Sequence, residues 1–137
     1  MDAQEKFEYW LDIAQYDLDT AEAMFASGRW LYVVFMCQQA IEKLCKGLYL
    51  LYIDDNTPHI HDINDVLDGF ADKLPVPVSE AYTVLFDRLS FHYIKNRYPE
   101  FQAKLSSRLN EQIAKDILSQ SKEAFLWLLT MKPSTGQ

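Results

Sequence analysis

Arg88 and His92 are the two residues of this sequence whose types and spacing best suit chemistry. Residues four apart on a helix project from one face, so the guanidinium and the imidazole would lie side by side. An arginine can stabilise a phosphate while a histidine transfers a proton, and metal-independent RNA cleavage needs both actions. The same pair also suits a helix end, with a histidine compatible with the helix dipole beside an ordinary surface arginine. Both interpretations remain open at this point.

Residues 88–104 form the one locally basic section of the chain. It begins at Arg88, ends at Lys104 and also contains Lys95 and Arg97. Tyr93 and Tyr98 offer aromatic rings on which a base could stack. The section predicts a local phosphate-binding surface. Arg97 joins the catalytic candidates as a second arginine that could act with the histidine.

A second polar group lies on the predicted second helix. Gln39, Lys43 and Lys46 follow one another at spacings of four and three, so they share a face, and Glu42 can pair with Lys46 one turn later. Asp17 lies in the middle of the first helix, where an antiparallel second helix would bring it beside this group. Charged groups inside a bundle are costly unless they satisfy one another. The group is either a partly exposed flank with ordinary ion pairs or a surface for a ligand or partner.

The segment Pro58-His59-Ile60-His61-Asp62 contains two histidines with metal-ligand character. A zinc site needs three or four ligands, and no second motif supplies the remainder. His61 and Asp62 are therefore expected to cap or orient a short helix, and we expect no metal and no cofactor. Phosphate-binding glycine loops are also missing from the sequence, since it contains only four glycines.

Composition and charge bound the class of protein. The chain has 137 residues, enough for a single domain over residues 1–132 with a flexible tail over residues 133–137. A net charge of −7 argues against a general affinity for DNA, so any nucleic-acid contact must use a local basic patch. No apolar stretch is long enough to cross a membrane, and Cys37 and Cys45 are expected to be reduced. These features predict a soluble, cytoplasmic protein.

Apolar residues recur at helical spacing through most of the chain. The pattern predicts helices over residues 3–26, 29–53, 80–93 and 107–131, and a shorter one that Asp62 or Asn64 caps and that runs to Leu74. Arg97-Tyr98-Pro99-Glu100 interrupts the pattern because proline disfavours helix at the preceding residue. The predicted fold is an all-α, up-and-down bundle of four to five helices with a short third helix.

Four segments together resemble the HEPN domain family (higher eukaryotes and prokaryotes nucleotide-binding), and the resemblance extends over roughly residues 5 to 130, nearly the whole chain. The matching segments are Trp10-x-x-x-Ala14-x-x-Asp17-Leu18-x-x-Ala21, Phe35-x-x-Gln38-Gln39-Ala40-x-Glu42-Lys43-x-x-Lys46, Pro58-x-x-His61-Asp62-Ile63 and Arg97-Tyr98-Pro99-Glu100.

The resemblance implies a helical bundle that forms a homodimer and pairs with a minimal nucleotidyltransferase, in the manner of a toxin–antitoxin module. It also implies a surface that binds a nucleotide, RNA or the partner protein. The residues that the resemblance assigns to that surface are Asp17, Gln39, Glu42, Lys43, Lys46, His61, Arg97 and Tyr98.

The chain departs from the family's RNase motif, in which four to six residues separate an arginine from a histidine. Three residues separate Arg88 from His92, and no histidine follows Arg97. The sequence therefore favours a binding module for a nucleotide, RNA or partner protein. A metal-independent RNase toxin that uses Arg88 or Arg97 with His92 is the alternative, and a purely structural dimeric bundle is the second alternative.

Overall fold

The computed structural model describes residues 1–95 and 98–134, and within them the chain is helical without a strand. The all-α bundle that the sequence predicts is confirmed. A short 3-10 helix, Ala71–Lys73, follows the third α-helix. The six α-helices in chain order are α1 (Ala3–Ala26), α2 (Trp30–Tyr52), α3 (Ile63–Asp68), α4 (Glu80–Lys95), α5 (Pro99–Ser107) and α6 (Glu111–Leu129).

Helices α1 and α2 pack along each other in opposite directions. Asp2 caps α1 by accepting a hydrogen bond from the Glu5 amide at 2.8 Å, and Gly28 turns the chain with a φ of 75°. Gly47 lets the two helices approach closely, since a Cβ there would lie 3.0 Å from Cβ of Trp10. The predicted bounds of α1 are confirmed, and those of α2 differ by one residue at each end.

Helix α2 is the central helix, as its nearly all-round apolar pattern indicates. It packs against α1, α3, α4 and α6, and thirteen of its residues are buried. The largest fully buried side chains of the bundle include Phe7, Phe86 and Phe125, which come from three helices around it. In the described part of the chain, no helix is long and apolar enough to cross a membrane.

The chain after α2 confirms one of the two predicted caps of the third helix but differs from the prediction in where that helix ends. Asp62, rather than Asn64, caps α3 by accepting a hydrogen bond from the Asp65 amide at 3.1 Å. The amide of Asn64 donates instead to the Thr83 carbonyl at 2.9 Å, which ties α3 to α4. The predicted extension of this helix to Leu74 was wrong, because α3 ends at Asp68.

Helix α5 is not predicted by the sequence pattern. The pattern predicts a break at Pro99, but Pro99 occupies the first turn of α5, where a proline leaves no intrahelical hydrogen bond unmade. The predicted start of the last helix at Ser107 was also wrong, because Ser107 ends α5. Asn110 caps α6 by accepting a hydrogen bond from the Ile113 amide at 2.9 Å. Within the described residues the bundle therefore has six α-helices, where the sequence predicts four to five.

Candidate functional site

Three basic residues from two helices form a group that we call the basic cluster: Arg88, His92 and Arg108. Arg88 and His92 lie one turn apart on α4, as predicted, and Arg108 follows the last residue of α5. Burial lowers the pKa of His92, and the charges of Arg88 and Arg108 lower it further. Both arginines are exposed, whereas His92 is only partly so.

The imidazole of His92 has an unused polar atom. Its Nδ1 is buried and has no hydrogen-bond partner within the described residues. Because its pKa is lowered, the ring is predominantly neutral near pH 7, and a neutral imidazole has one nitrogen that accepts a proton. The basic cluster can therefore offer two guanidinium groups to an anion and an imidazole to a proton transfer.

Aromatic side chains border this region at the start of α5. Tyr98 is 51% exposed and meets Phe101 edge to face at a centroid distance of 6.3 Å. The ammonium of Lys95 lies 5.0 Å from the centroid of the Phe101 ring. Tyr98 therefore presents an exposed ring on which a base could stack. Arg97 lies outside the described residues, so its predicted role stays a prediction.

The predicted polar residues of α2 and the following loop form a hydrogen-bonded group that we call the polar network: Gln38, Gln39, Glu42, Lys46 and His61. Glu42 is 4% exposed and accepts hydrogen bonds from Gln38 at 2.8 Å and from Lys46 at 3.0 Å. Nδ1 of His61 lies 3.2 Å from the same carboxylate, and the Gln38 amide also donates to the His61 carbonyl at 2.8 Å. The Gln39 amide donates to the Gln38 side chain at 2.7 Å.

Asp17 and Lys43 form a separate ion pair at 2.5 Å between the middles of α1 and α2. The structure thus places Asp17 beside the polar face of α2, where the sequence predicts it. The Asp17–Lys43 pair and the polar network each contain both positive and negative partners, so their charges are satisfied inside the bundle. Together they hold α1, α2 and the loop before α3 in register. His61 connects the polar network to α4, since its ring centroid lies 5.2 Å from that of Tyr93.

Arg108 is the member of the basic cluster that sequence reasoning missed. Fifteen residues separate it from His92, and only the prediction of α5 as a helix with a basic end could have identified it. Other reactive groups are weaker candidates. Burial raises the pKa of Cys37 to about 12 and that of Cys45 still further, so both thiols stay protonated. Within the described residues, no three acidic, histidine or cysteine side chains are grouped to hold a metal ion.

Comparison with known proteins gives one family and one solved structure. Residues 7–131 match the sequence profile of the HEPN domain. The crystal structure of TT1696 from Thermus thermophilus superposes with a TM-score of 0.78 at 24% sequence identity, over 92% of this chain and 98% of that chain. This similarity shows a shared fold. No curated protein sequence matches significantly.

Proposed function

The chain belongs to the HEPN domain family, and from that membership we propose that it binds RNA or a nucleotide with the ligand's phosphate at the basic cluster. HEPN domains are modules of the nucleotide-binding and RNase type. The proposal assigns Arg88 and Arg108 to the phosphate and His92, beside them, to a proton shared with it.

The observation that carries this proposal is a pair of exposed arginines, without carboxylate partners in the described residues, beside a partly buried histidine. Arg88 and Arg108 both lower the pKa of His92, so each guanidinium lies within electrostatic reach of the imidazole. No carboxylate in the described part of the chain forms an ion pair with either arginine. A locally uncompensated positive region in a chain of net charge −7 supports a phosphate ligand.

Fluorescence anisotropy with a short labelled RNA tests the proposal. We expect Arg88→Gln and Arg108→Gln each to weaken binding about tenfold, because each removes one charge-assisted phosphate contact. Lys115→Gln is the matched control, since it removes an exposed positive charge from α6 and should change the affinity less than about twofold. RNA binding that is absent, or insensitive to both arginine substitutions, would contradict the proposal.

The proposal includes a homodimer in which α4 meets its copy. Val84 and Phe91 are 59% and 50% exposed and lie one turn before and one turn after Arg88 on the same helix. Exposed apolar side chains in such a row favour burial against another subunit. A contact there would bring two basic clusters together and give RNA a longer positive surface.

The proposal also assigns this chain to a pair with a minimal nucleotidyltransferase, as one half of a toxin–antitoxin-like module. The order of the four HEPN segments along the chain supports this assignment. Co-expression with a minimal nucleotidyltransferase encoded by an adjacent gene tests it, and we expect the two proteins to purify together. A homodimer that purifies without the nucleotidyltransferase would contradict the pairing but leave the RNA-binding proposal intact.

A metal-independent RNase is the second candidate, and the state of His92 favours it. A neutral imidazole beside two guanidinium groups can take a proton from a ribose hydroxyl while the arginines stabilise the phosphate. Incubation of RNA with the protein and a chelator tests this activity. We expect cleavage that His92→Ala abolishes, and RNA that stays intact with the unaltered protein would exclude it.

A further inference from the structure

A cavity of about 460 Å³ lies between the start of α2 and one face of α5. Pro99, Gln102, Ala103 and Ser106 recur at helical spacing and form the α5 wall. Phe101 points away from that wall, towards α4, where Lys95 lies over its ring. Helix α5 therefore separates this cavity from the basic cluster. The opposite wall contains Arg29, Trp30 and Tyr32.

The side chains around the cavity combine three kinds of recognition. Arg29 is exposed and has no carboxylate partner in the residues that the structure describes, so its guanidinium is available to an anion. Tyr32 is 45% exposed and offers an aromatic ring. Gln102 and Ser106 contribute an amide and a hydroxyl, which can donate and accept hydrogen bonds at a planar polar edge.

The space is open because two of the residues along its α5 wall, Ala103 and Ser106, have small side chains. Ala103 and Ser106 are both exposed, and neither fills the gap between α5 and the start of α2. A volume of about 460 Å³ lies within the range of small-molecule sites. The cavity could thus admit a ligand with one planar ring system and one anionic group.

We propose that this cavity binds a nucleoside phosphate, with the base against Tyr32 and Gln102 and the phosphate at Arg29. The nucleoside phosphate is either a free nucleotide or the phosphate-bearing end of an RNA, because both present the same groups. Only the class of ligand rests on the proposed function. The binding site is a different one, because the cavity lies on the other side of α5 from the basic cluster.

Isothermal titration calorimetry with adenosine 5′-monophosphate and with a 5′-phosphorylated RNA tetranucleotide tests the proposal on the full chain. Arg29→Gln removes the cation, and Ala103→Met fills the space with a longer apolar side chain. Two controls make comparable changes elsewhere, one removing a positive charge and one replacing an alanine with methionine. They are Lys115→Gln on α6 and Ala81→Met at the exposed start of α4. Circular dichroism confirms that each variant is folded.

We expect at least one of the two probes to bind, and both cavity variants to weaken that binding about tenfold or more, while the controls stay within about twofold. Binding of the mononucleotide identifies a free nucleotide as the ligand, and binding of the tetranucleotide alone identifies an RNA end. Failure of both probes, or binding that Arg29→Gln and Ala103→Met leave unchanged, would overturn the proposal. If the basic-cluster variants still weakened RNA binding in that case, the proposed function would stand without this cavity.

Discussion

Nδ1 of His61 lies 3.2 Å from Oε1 of Glu42, although the two are 19 positions apart in sequence. The carboxylate also accepts hydrogen bonds from Gln38 and Lys46, both buried on the same helix. One buried acid thus joins the middle of α2 to the loop that precedes α3. Since a buried charge is tolerated only when its partners are in place, Glu42 fixes the position of that loop.

Glu42→Leu should lower the free energy of unfolding by about 3 kcal/mol or more, because the ammonium of Lys46 would stay buried without its partner. Lys46→Met alone should cost less, since Gln38 and His61 still contact the carboxylate. The double variant should be more stable than the sum of the two single changes predicts. Denaturant unfolding of the four proteins measures this coupling.

The control for this double-mutant comparison of Glu42 and Lys46 is the exposed ion pair between Lys122 and Glu22, whose side chains are 43% and 45% exposed. Lys122→Met should leave the unfolding midpoint nearly unchanged, because exposed pairs contribute little. Additive effects of Glu42→Leu and Lys46→Met would refute the structural role assigned to the polar network. If Glu42→Leu does not fold, Glu42→Gln provides the same comparison with a smaller change.

Gly47 gives a second prediction about stability, because it lies where α1 and α2 are closest. A Cβ there would lie 3.0 Å from Trp10 Cβ and 3.1 Å from the Phe7 ring. Gly47→Leu should therefore destabilise the protein by about 1–3 kcal/mol, since the larger side chain forces the helices apart. Thermal unfolding measures the change, with Ala23→Leu on the exposed side of α1 as the control. Equal melting temperatures for the two variants would contradict the close packing.

The long helices could be predicted from the sequence because their signals are local. Asp2 and Gly28 delimit α1, and regular apolar spacing marks α2. Helix α5 gave a weaker signal, since it is short and begins at a proline that also suits a loop. The proximity of Asp17 to Lys43 could be predicted, because antiparallel packing of α1 and α2 is enough to produce it. The proximity of Arg108 to His92 depends instead on how α5 packs against α4, and no residue spacing in the sequence reveals that packing.

A homodimer through α4 gives a third prediction. Phe91→Asp should convert the dimer to a monomer, because a carboxylate replaces a ring that is 50% exposed in the single chain and buried in the proposed contact. Sedimentation measures the mass. Leu126→Asp is the control, since Leu126 is 64% exposed on α6 and should leave the mass unchanged. A native chain that sediments as a monomer, or dimers with both variants, would exclude α4 as the interface.

The lowered pKa of His92 predicts how stability depends on pH. In the unfolded chain His92 regains the usual value of 6.5, so below that pH the unfolded state binds more protons than the folded state. The contribution of His92 to stability is therefore constant above about pH 7 and decreases as the pH falls through 6.5 towards the folded value. His92→Gln should flatten this part of the curve, whereas His59→Gln at an exposed position should not. Identical pH profiles for the native protein and His92→Gln would contradict the lowered pKa.

The titration of the His92 imidazole by NMR, with and without a short RNA, tests the central claim most directly. His92→Gln identifies its signals among those of the three histidines. Without RNA, we expect a pKa below 6.5, because burial and the two arginine charges disfavour the imidazolium. With RNA, the pKa should rise as a phosphate offsets those charges, and RNA affinity should increase as the pH falls through the same range. A His92 pKa that saturating RNA leaves unchanged would contradict a phosphate at the basic cluster.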